Sequence, residues 1–248
     1  MAQLVRHAEF NDPRLVEVYD AECPWSRDDD FFLSLVCDSG AAHVVDLGCG
    51  TGRLALGMAE AGLTVTGVDP ARASLDAARA RPGADGVTWI EGTSSSLPDD
   101  SFDAAVMTSH VAQFFVDDDS WARVLGDLAR SLVPGGLLTF DSRDPRDRRW
   151  DKWNPVDSAR RVVLRDGREV PIWTEVTAEN DGVVEFAHHY EFPTREKLVS
   201  TATLRFRSSE EISASLERAG FSVEAMYGGW RREPLGHIDG EILVVAHR

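Results

Sequence analysis

The chain has few cysteines, and it has no long run of apolar residues. Its three cysteines, Cys23, Cys37 and Cys49, are widely spaced and form no Cys-x-x-Cys pair. We therefore expect neither a disulfide framework nor a cysteine zinc site. No apolar run has the length of a signal-peptide core or of a membrane-spanning helix. The sequence thus predicts a cytoplasmic protein without a membrane partner.

Basic residues are also scarce, because 26 Lys and Arg residues stand against 42 Asp and Glu residues and give a formal net charge of -16. Proteins bind nucleic acids largely through cations on the phosphates, so this balance predicts no nucleic acid partner. Apolar residues make up 43% of the 248 residues. This share is typical of a globular chain, and the length allows one large domain with an insertion.

Strand-like and helical segments alternate along residues 43–149, which predicts a cofactor-binding core with a parallel sheet and helices on both faces. Residues 1–42 have apolar residues at helical spacing and predict an N-terminal helical cap. Residues 150–207 break the alternation with turn signals such as Asp166-Gly167, and they predict an antiparallel lid of three or four strands. Residues 208–248 predict a helix and a strand pair that complete the core.

The predicted fold class is therefore α/β. We expect a doubly wound, mostly parallel seven-stranded sheet with an antiparallel β-meander insertion after strand five. An exposed edge of the meander could pair with a second chain, so a homodimer is a further hypothesis.

Residues 44–52, with the sequence VVDLGCGTG, end the first predicted strand and open the first helix of the core. Doubly wound sheets bind their ligands at this edge. Dinucleotide-binding loops have the pattern GxGxxG, whereas this loop reads GxGxG and has Arg53 in place of the third glycine. Asp46 would repel a pyrophosphate, but it suits a ligand that carries an ammonium and a sulfonium group.

A second acidic residue, Asp69, ends the second predicted strand and lies 23 residues after Asp46. A carboxylate at this position can accept hydrogen bonds from both hydroxyl groups of a ribose. Both segments are similar to the first two motifs of the class I S-adenosylmethionine-dependent methyltransferases. The resemblance extends through residues 43–141 and includes the Leu-Val-Pro-Gly-Gly turn at 132–136.

The resemblance implies a Rossmann-like fold, S-adenosylmethionine as cofactor, S-adenosylhomocysteine as product and a small molecule as methyl acceptor. Many family members have an aspartate at the position of Thr93, so the adenine contact would come from another acceptor such as the Thr93 or Ser94 side chain. The residues expected to bind the cofactor in the core are Asp46, Gly48, Cys49, Gly50, Thr51, Gly52, Asp69, Pro70, Thr93, Ser94, Ser109 and His110.

His110 follows the fourth predicted strand of the core and is the candidate catalytic residue. An imidazole there could act as a general base, or it could pack on the cofactor or face solvent. From the helical cap, Tyr19 and Trp25 could place a ring over the sulfonium of the cofactor, or they could pack in the core.

Four residues are candidates for binding the acceptor: Arg143, His188, Tyr190 and Trp230. Arg143 could bind a carboxylate of the acceptor or form an ordinary salt bridge. Strand alternation places His188 and Tyr190 on one face. We expect no metal site, because His188 and His189 point to opposite faces.

The acceptor atom stays open among oxygen, nitrogen and carbon. The segment Thr108-Ser109-His110-Val111 lacks the Asn/Asp-Pro-Pro-Tyr type of motif, which disfavours methylation of nucleobases or of glutamine. A small metabolite or natural product follows by elimination. Three alternatives remain: an enzyme that uses S-adenosylmethionine for non-methylating chemistry, a non-catalytic S-adenosylmethionine-binding protein, and a nicotinamide-dependent oxidoreductase.

Overall fold

A computed structural model of the chain describes residues 3–248, and side chains from residue 5 onward. Within this range the chain forms two sheets and seven α-helices. The strands are β1 (Gln3–Arg6), β2 (His43–Leu47), β3 (Thr64–Asp69), β4 (Val87–Glu91), β5 (Phe102–Met107), β6 (Leu132–Arg143), β7 (Arg160–Val163), β8 (Glu169–Asn180), β9 (Val183–Glu191), β10 (Lys197–Arg205), β11 (Ser222–Tyr227) and β12 (Glu241–His247). The helices are α1 (Ala8–Asn11), α2 (Pro13–Glu22), α3 (Arg27–Asp38), α4 (Arg53–Glu60), α5 (Arg72–Arg79), α6 (Asp118–Ser131) and α7 (Ser209–Arg218).

The larger sheet has seven strands in the order β11-β12-β6-β5-β2-β3-β4. Neighbouring strands from β6 to β4 run parallel, whereas β12 runs antiparallel to both β6 and β11. The strand order reverses direction between β2 and β5, which is where doubly wound sheets open a ligand crevice. The prediction of a mostly parallel, Rossmann-like seven-stranded sheet is confirmed.

Buried side chains cover both faces of this sheet. One apolar cluster includes Trp121 of α6 and Leu216 of α7, and the other includes Phe32 of α3 and Met58 of α4. The strands themselves are buried on both faces, as expected for a parallel sheet between helices. No helix among residues 3–248 combines the length and the apolar character that a membrane crossing requires.

The smaller sheet has the order β1-β10-β9-β8-β7. Strands β7 to β10 form an antiparallel meander, as the sequence predicts for residues 150–207. Within the predicted N-terminal helical cap, Gln3–Arg6 is not helical, because β1 adds a parallel edge strand beside β10. A strand of four residues is too short to reveal a period, and its backbone partners lie far along the chain.

Helices α1 and α2 link the two sheets. Asp12 caps α2, with its side chain accepting a hydrogen bond from the backbone N–H of Arg14, and Pro13 is the first helical residue. Leu15 and Val18 of α2 are buried against the meander. On the other side, the Ser74 hydroxyl of α5 donates to the backbone carbonyl of Phe10 at 2.9 Å. This N-terminal segment therefore closes the space above the carboxyl ends of the large sheet.

Candidate active site

The loop between β2 and α4 has a backbone that glycine alone adopts easily. Gly48, Gly50 and Gly52 have φ angles of 80°, 53° and 78°. A Cβ atom on Gly48 would lie 2.5 Å from Cγ2 of Val111. The loop therefore passes close to the segment after β5, and the position admits no side chain.

Asp46 lies beneath this loop and is almost fully buried, at 1% exposure. Its Oδ1 atom has no hydrogen-bond partner among the described residues. Burial, together with the nearby Asp69 carboxylate, raises the pKa of Asp46 to about 7. A buried carboxylate is costly unless it is paired, so this site is suited to a cationic ligand.

Asp69 at the end of β3 is held by the backbone. Its Oδ2 accepts a hydrogen bond from Gly50 N at 2.8 Å, and its Oδ1 accepts one from Ala71 N at 2.7 Å. Each carboxylate oxygen keeps a further lone pair, because an ionised carboxylate has about four acceptor sites. The carboxylate is therefore fixed in place with acceptor capacity left for a diol.

A cavity of about 450 Å³, here called the cofactor cavity, lies between the glycine loop and the N-terminal helices. Its volume is within the usual range for small-molecule sites, about 300–1,000 Å³. Most of the residues expected to bind the cofactor line it: Tyr19, Asp46, Gly48, Cys49, Gly50, Thr51, Asp69, Pro70, Thr93, Ser94 and Ser109. The Ser94 hydroxyl donates to Asp127 Oδ2 at 2.7 Å.

Three expected cofactor residues lie elsewhere. Gly52 is the N-cap of α4 and faces Trp89. His110 lines a second cavity, which lies under the smaller sheet. Trp25 is 41% exposed, its Nε1–H donates to Asp30 Oδ1 at 2.8 Å, and its ring lies against Gly57 on the outer side of α4. The structure therefore does not bring the Trp25 ring to the cofactor cavity.

Arg53 shows why the third glycine of a dinucleotide loop is replaced here. Its Nε–H donates to Asp29 Oδ1 at 2.8 Å, and one Nη1–H donates to the carbonyl of Cys23 at 2.7 Å. Nη2 lies 3.3 Å from the hydroxyl of Ser109. The side chain thus ties the helix after the glycine loop to the N-terminal cap and to the segment after β5.

A second cavity of about 590 Å³, here called the acceptor cavity, lies under the smaller sheet. Three of the four residues expected to bind the acceptor line it: Arg143, His188 and Tyr190. Burial lowers the pKa of His188 to about 4, and its Nδ1 lies 2.8 Å from the Thr174 hydroxyl. The imidazole is therefore neutral near pH 7, and it can donate or accept a hydrogen bond with a ligand without adding a charge to the cavity.

Trp230, the fourth of these residues, lies outside the acceptor cavity. Its ring packs edge-on against Phe31 and Phe32, with centroids 6.0 Å apart in both pairs. The loop after β11 folds onto α3, on the face of the large sheet that α3 and α4 cover. The ring therefore contributes to the core and not to the binding site.

The two cavities have one wall in common. Phe10, Tyr19, Cys23, Ser109 and Phe114 line both of them. Phe10 packs edge-on against Tyr19 and against Phe114, with centroids 5.5 and 5.8 Å apart. Two ligands, one in each cavity, would meet at this aromatic wall.

His110 belongs to a buried polar cluster at the acceptor cavity. Its Nε2 lies 2.9 Å from Glu241 Oε2 and 3.3 Å from Asp141 Oδ2. The three side chains have the spacing of metal ligands. However, the guanidinium of Arg149 lies 3.6 Å from Glu241 Oε1 and already supplies positive charge. Hydrogen bonds and the Arg149 ion pair therefore account for the contacts within the cluster.

Two acidic residues at or near the acceptor cavity, Glu9 and Glu241, could not be identified as site residues from the sequence pattern. Glu9 is buried and lines the cavity, and its carboxylate accepts a hydrogen bond from the Ser200 hydroxyl. Burial raises the pKa of Glu9 to about 7. Glu241 opens the last strand. Each meets its partner across more than a hundred residues of chain. Local pattern could not reveal either contact.

Comparison with known proteins agrees with this architecture. A family model described as a methyltransferase domain matches residues 44–136. The cypemycin N-terminal methyltransferase of a Streptomyces species is 30% identical over 208 residues, which cover 83% of this chain and 82% of that protein. The CcbJ methyltransferase of Streptomyces caelestis has the same fold, with a TM-score of 0.78 at 19% identity over 97% of both chains.

A further solved structure is CalS10 of Micromonospora echinaspora with bound S-adenosylmethionine, an amino pentose methyltransferase involved in calicheamicin biosynthesis. It has a TM-score of 0.71 at 22% identity and covers 93% of this chain and 94% of its own. The chain belongs to the class I S-adenosylmethionine-dependent methyltransferases. It is an enzyme, and S-adenosylmethionine is its cofactor.

Proposed function

We propose that this enzyme methylates a small molecule bound in the acceptor cavity, and that the acceptor atom is an amine nitrogen. The observation that supports this most strongly is the aromatic wall common to both cavities, formed around Tyr19 and Phe114. Methyl transfer needs the acceptor atom and the methyl group in line and shielded from water. Two adjoining cavities with a mainly aromatic wall between them support such an arrangement.

The cofactor would be held by the residues of the glycine loop and by two carboxylates. The unpaired Oδ1 of Asp46 suits the ammonium of the methionine tail, and Asp69 suits the ribose hydroxyls. Thr93 and Ser94 would lie along the adenine. When bound, the cofactor supplies a methyl group that is already activated, so the protein mainly provides alignment and desolvation.

The acceptor would be oriented by polar groups on several sides. Arg143 donates from Nη1 to Gln113 Oε1 at 2.9 Å, and among the described residues no carboxylate lies within salt-bridge distance of it. It is therefore available for an anionic or carbonyl group of the acceptor. His188 and Tyr190 add neutral hydrogen-bonding groups on the sheet side.

Nitrogen is favoured over oxygen and carbon for two reasons. One relative is named as an N-terminal methyltransferase, and one structural neighbour is named as an amino pentose methyltransferase. Glu9 also offers the acceptor cavity a buried carboxyl group with no cation within salt-bridge distance among the described residues. A buried carboxylate of this kind is stabilised by an ammonium ligand.

Matched pairs of acceptors test this proposal. Amino sugars and peptides with free N-termini are incubated with methyl-labelled S-adenosylmethionine, each beside its hydroxyl analogue. We expect the amine member of a pair to gain the mass of one CH2 group while S-adenosylhomocysteine forms. Methylation of the hydroxyl member alone would contradict the nitrogen assignment. Consumption of the cofactor without a methylated acceptor would favour non-methylating chemistry instead.

A further inference from the structure

We infer that Glu241 is a positioning residue for His110: it holds the imidazole as the Nε2–H tautomer and so keeps Nδ1 free to take a proton from the acceptor. This inference rests on the proposed function, because it assumes that the acceptor loses a proton in the acceptor cavity. The tautomer itself can be measured without any acceptor.

The hydrogen bonds of the ring define the tautomer. Nε2 of His110 lies 2.9 Å from Oε2 of Glu241 and 3.3 Å from Oδ2 of Asp141. Above its pKa of about 7, Glu241 is ionised and only accepts hydrogen bonds, so Nε2 then carries the proton. Nδ1 has no hydrogen-bond partner among the described residues, and His110 lines the acceptor cavity. In this tautomer the free lone pair of the ring is on Nδ1, which forms no hydrogen bond with the described residues.

The backbone at His110 is held in a conformation that needs support. Ser109 and His110 have φ angles of 57° and 64°, which non-glycine residues rarely adopt. The N–H of His110 lies 3.1 and 3.2 Å from the two carboxylate oxygens of Asp141. Strained residues of this kind cluster at functional sites. Asp141 therefore holds the backbone, while the shorter contact to the ring nitrogen, at 2.9 Å, comes from Glu241.

Burial is the main reason that the imidazole of His110 is neutral, and the Asp141 carboxylate opposes it only in part. Burial and the Arg143 guanidinium lower the pKa of His110 to about 3, and burial raises the pKa of Glu241 to about 7. The charged groups that act on this pair are Arg27, Asp28, Asp141, Arg143, Arg149 and Asp239. Near neutral pH, the group of the pair that gains a proton most easily is therefore Glu241.

These properties define a balanced proton transfer. The acceptor atom gives its proton to Nδ1 of His110, and the Nε2 proton passes to Oε2 of Glu241. The imidazole is neutral before and after, and the negative charge of Glu241 is neutralised. His110 would be the catalytic residue, because it touches the acceptor, and Glu241 would act only through it.

The first test measures the tautomer by nitrogen-15 NMR of the histidine side chains, in the full chain with S-adenosylhomocysteine. The sample is kept at about pH 8, because Glu241 is ionised above its pKa of about 7. Loss of a signal in His110→Asn assigns the ring among the seven histidines. We expect a single Nε2–H tautomer in the wild type and a mixture in Glu241→Gln. An imidazolium or an Nδ1–H tautomer in the wild type would overturn the inference, as would an unchanged spectrum in Glu241→Gln.

The chain offers a matched control. Glu224 lies 2.7 Å from Nε2 of His247 in a second Glu–His pair that is largely exposed and distant from the cavity. Glu224→Gln should change the His247 signal and leave that of His110 as in the wild type. A change at His110 in this control would mean that the effect of Glu241→Gln is not specific.

The second test uses an acceptor that the wild type methylates. We expect Glu241→Gln to lower kcat about 100-fold, the lower end of general base effects, with an unchanged KM for S-adenosylmethionine. The wild-type kcat should rise with pH through about 7, because only ionised Glu241 can accept the Nε2 proton. An unchanged kcat in Glu241→Gln would overturn the inference even if the tautomer is as expected. If the wild type methylates no acceptor, the proposed function fails, and the tautomer still decides the role of Glu241.

Discussion

Replacing Asp46 by Asn should weaken cofactor binding in a way that depends on pH. The side chain keeps its shape but loses the charge that would pair with the ammonium of the methionine tail. A hydrogen bond to a charged group contributes about 1.5–3 kcal/mol, so we expect affinity for S-adenosylhomocysteine to fall about 10- to 150-fold. The unpaired Oδ1 atom of Asp46 is the structural basis for this estimate.

The sign of the pH effect follows from the raised pKa of Asp46, about 7 in the free protein. The folded chain binds this proton more tightly than the unfolded chain does, so this contribution to stability is complete at low pH and is lost as pH rises through about 7. The affinity for S-adenosylhomocysteine should instead increase as pH rises through about 7, because the ammonium group of the ligand pairs with the ionised carboxylate of Asp46. We therefore expect wild-type affinity to be about tenfold weaker at pH 6 than at pH 8.

Isothermal titration calorimetry with two ligands separates this effect from others. S-adenosylhomocysteine has the amino acid tail, whereas 5′-methylthioadenosine lacks it. Only the first ligand should lose affinity in Asp46→Asn, and only the first should show the dependence on pH. Asp76→Asn, an exposed change on α5, is the control that should behave as the wild type. Equal losses for both ligands would refute the pairing of Asp46 with the tail.

Three further predictions concern neighbouring residues. Asp69→Ala should weaken S-adenosylhomocysteine and 5′-methylthioadenosine alike by about 1–3 kcal/mol in the same titrations, since both ligands have the ribose; unchanged affinity would mean that the ribose lies elsewhere. Gly48→Ala places a Cβ atom 2.5 Å from Val111 at a φ of 80°, so cofactor affinity and the thermal midpoint should both fall. The control Gly126→Ala meets no atom within 4 Å and should stabilise helix α6 by about 0.5–1 kcal/mol; equal behaviour of the two glycine variants would contradict the crowding argument. His188→Ala should raise KM for the acceptor in steady-state kinetics and leave cofactor affinity unchanged, and the reverse pattern would remove His188 from the acceptor cavity.

The parts of the candidate site that depend on local backbone chemistry can be predicted from the sequence. The glycine loop and Asp69 lie at the ends of neighbouring parallel strands, and their spacing along the chain already indicated a nucleotide-type ligand. The order of strands and helices also predicted the large sheet and the position of the meander. These features depend on short segments whose pattern repeats with a recognisable period.

Other parts of the site depend on contacts between distant segments. Glu241 and His110 are 131 residues apart, and Glu9 and Ser200 are 191 residues apart. The sequence allows Trp25 of the N-terminal cap to place its ring over the sulfonium of the cofactor, yet the ring lies against Gly57 of α4. Only tertiary packing decides which face such a side chain meets, and no local pattern encodes that choice.

The most direct test of the account is a crystal structure of the chain with S-adenosylhomocysteine. We predict that the tail ammonium lies within about 3 Å of Asp46, that the ribose hydroxyls lie within about 3 Å of Asp69, and that the sulfur faces the wall between the two cavities. A nucleotide bound outside the Gly48–Gly52 loop, or a sulfur that faces away from the acceptor cavity, would contradict it.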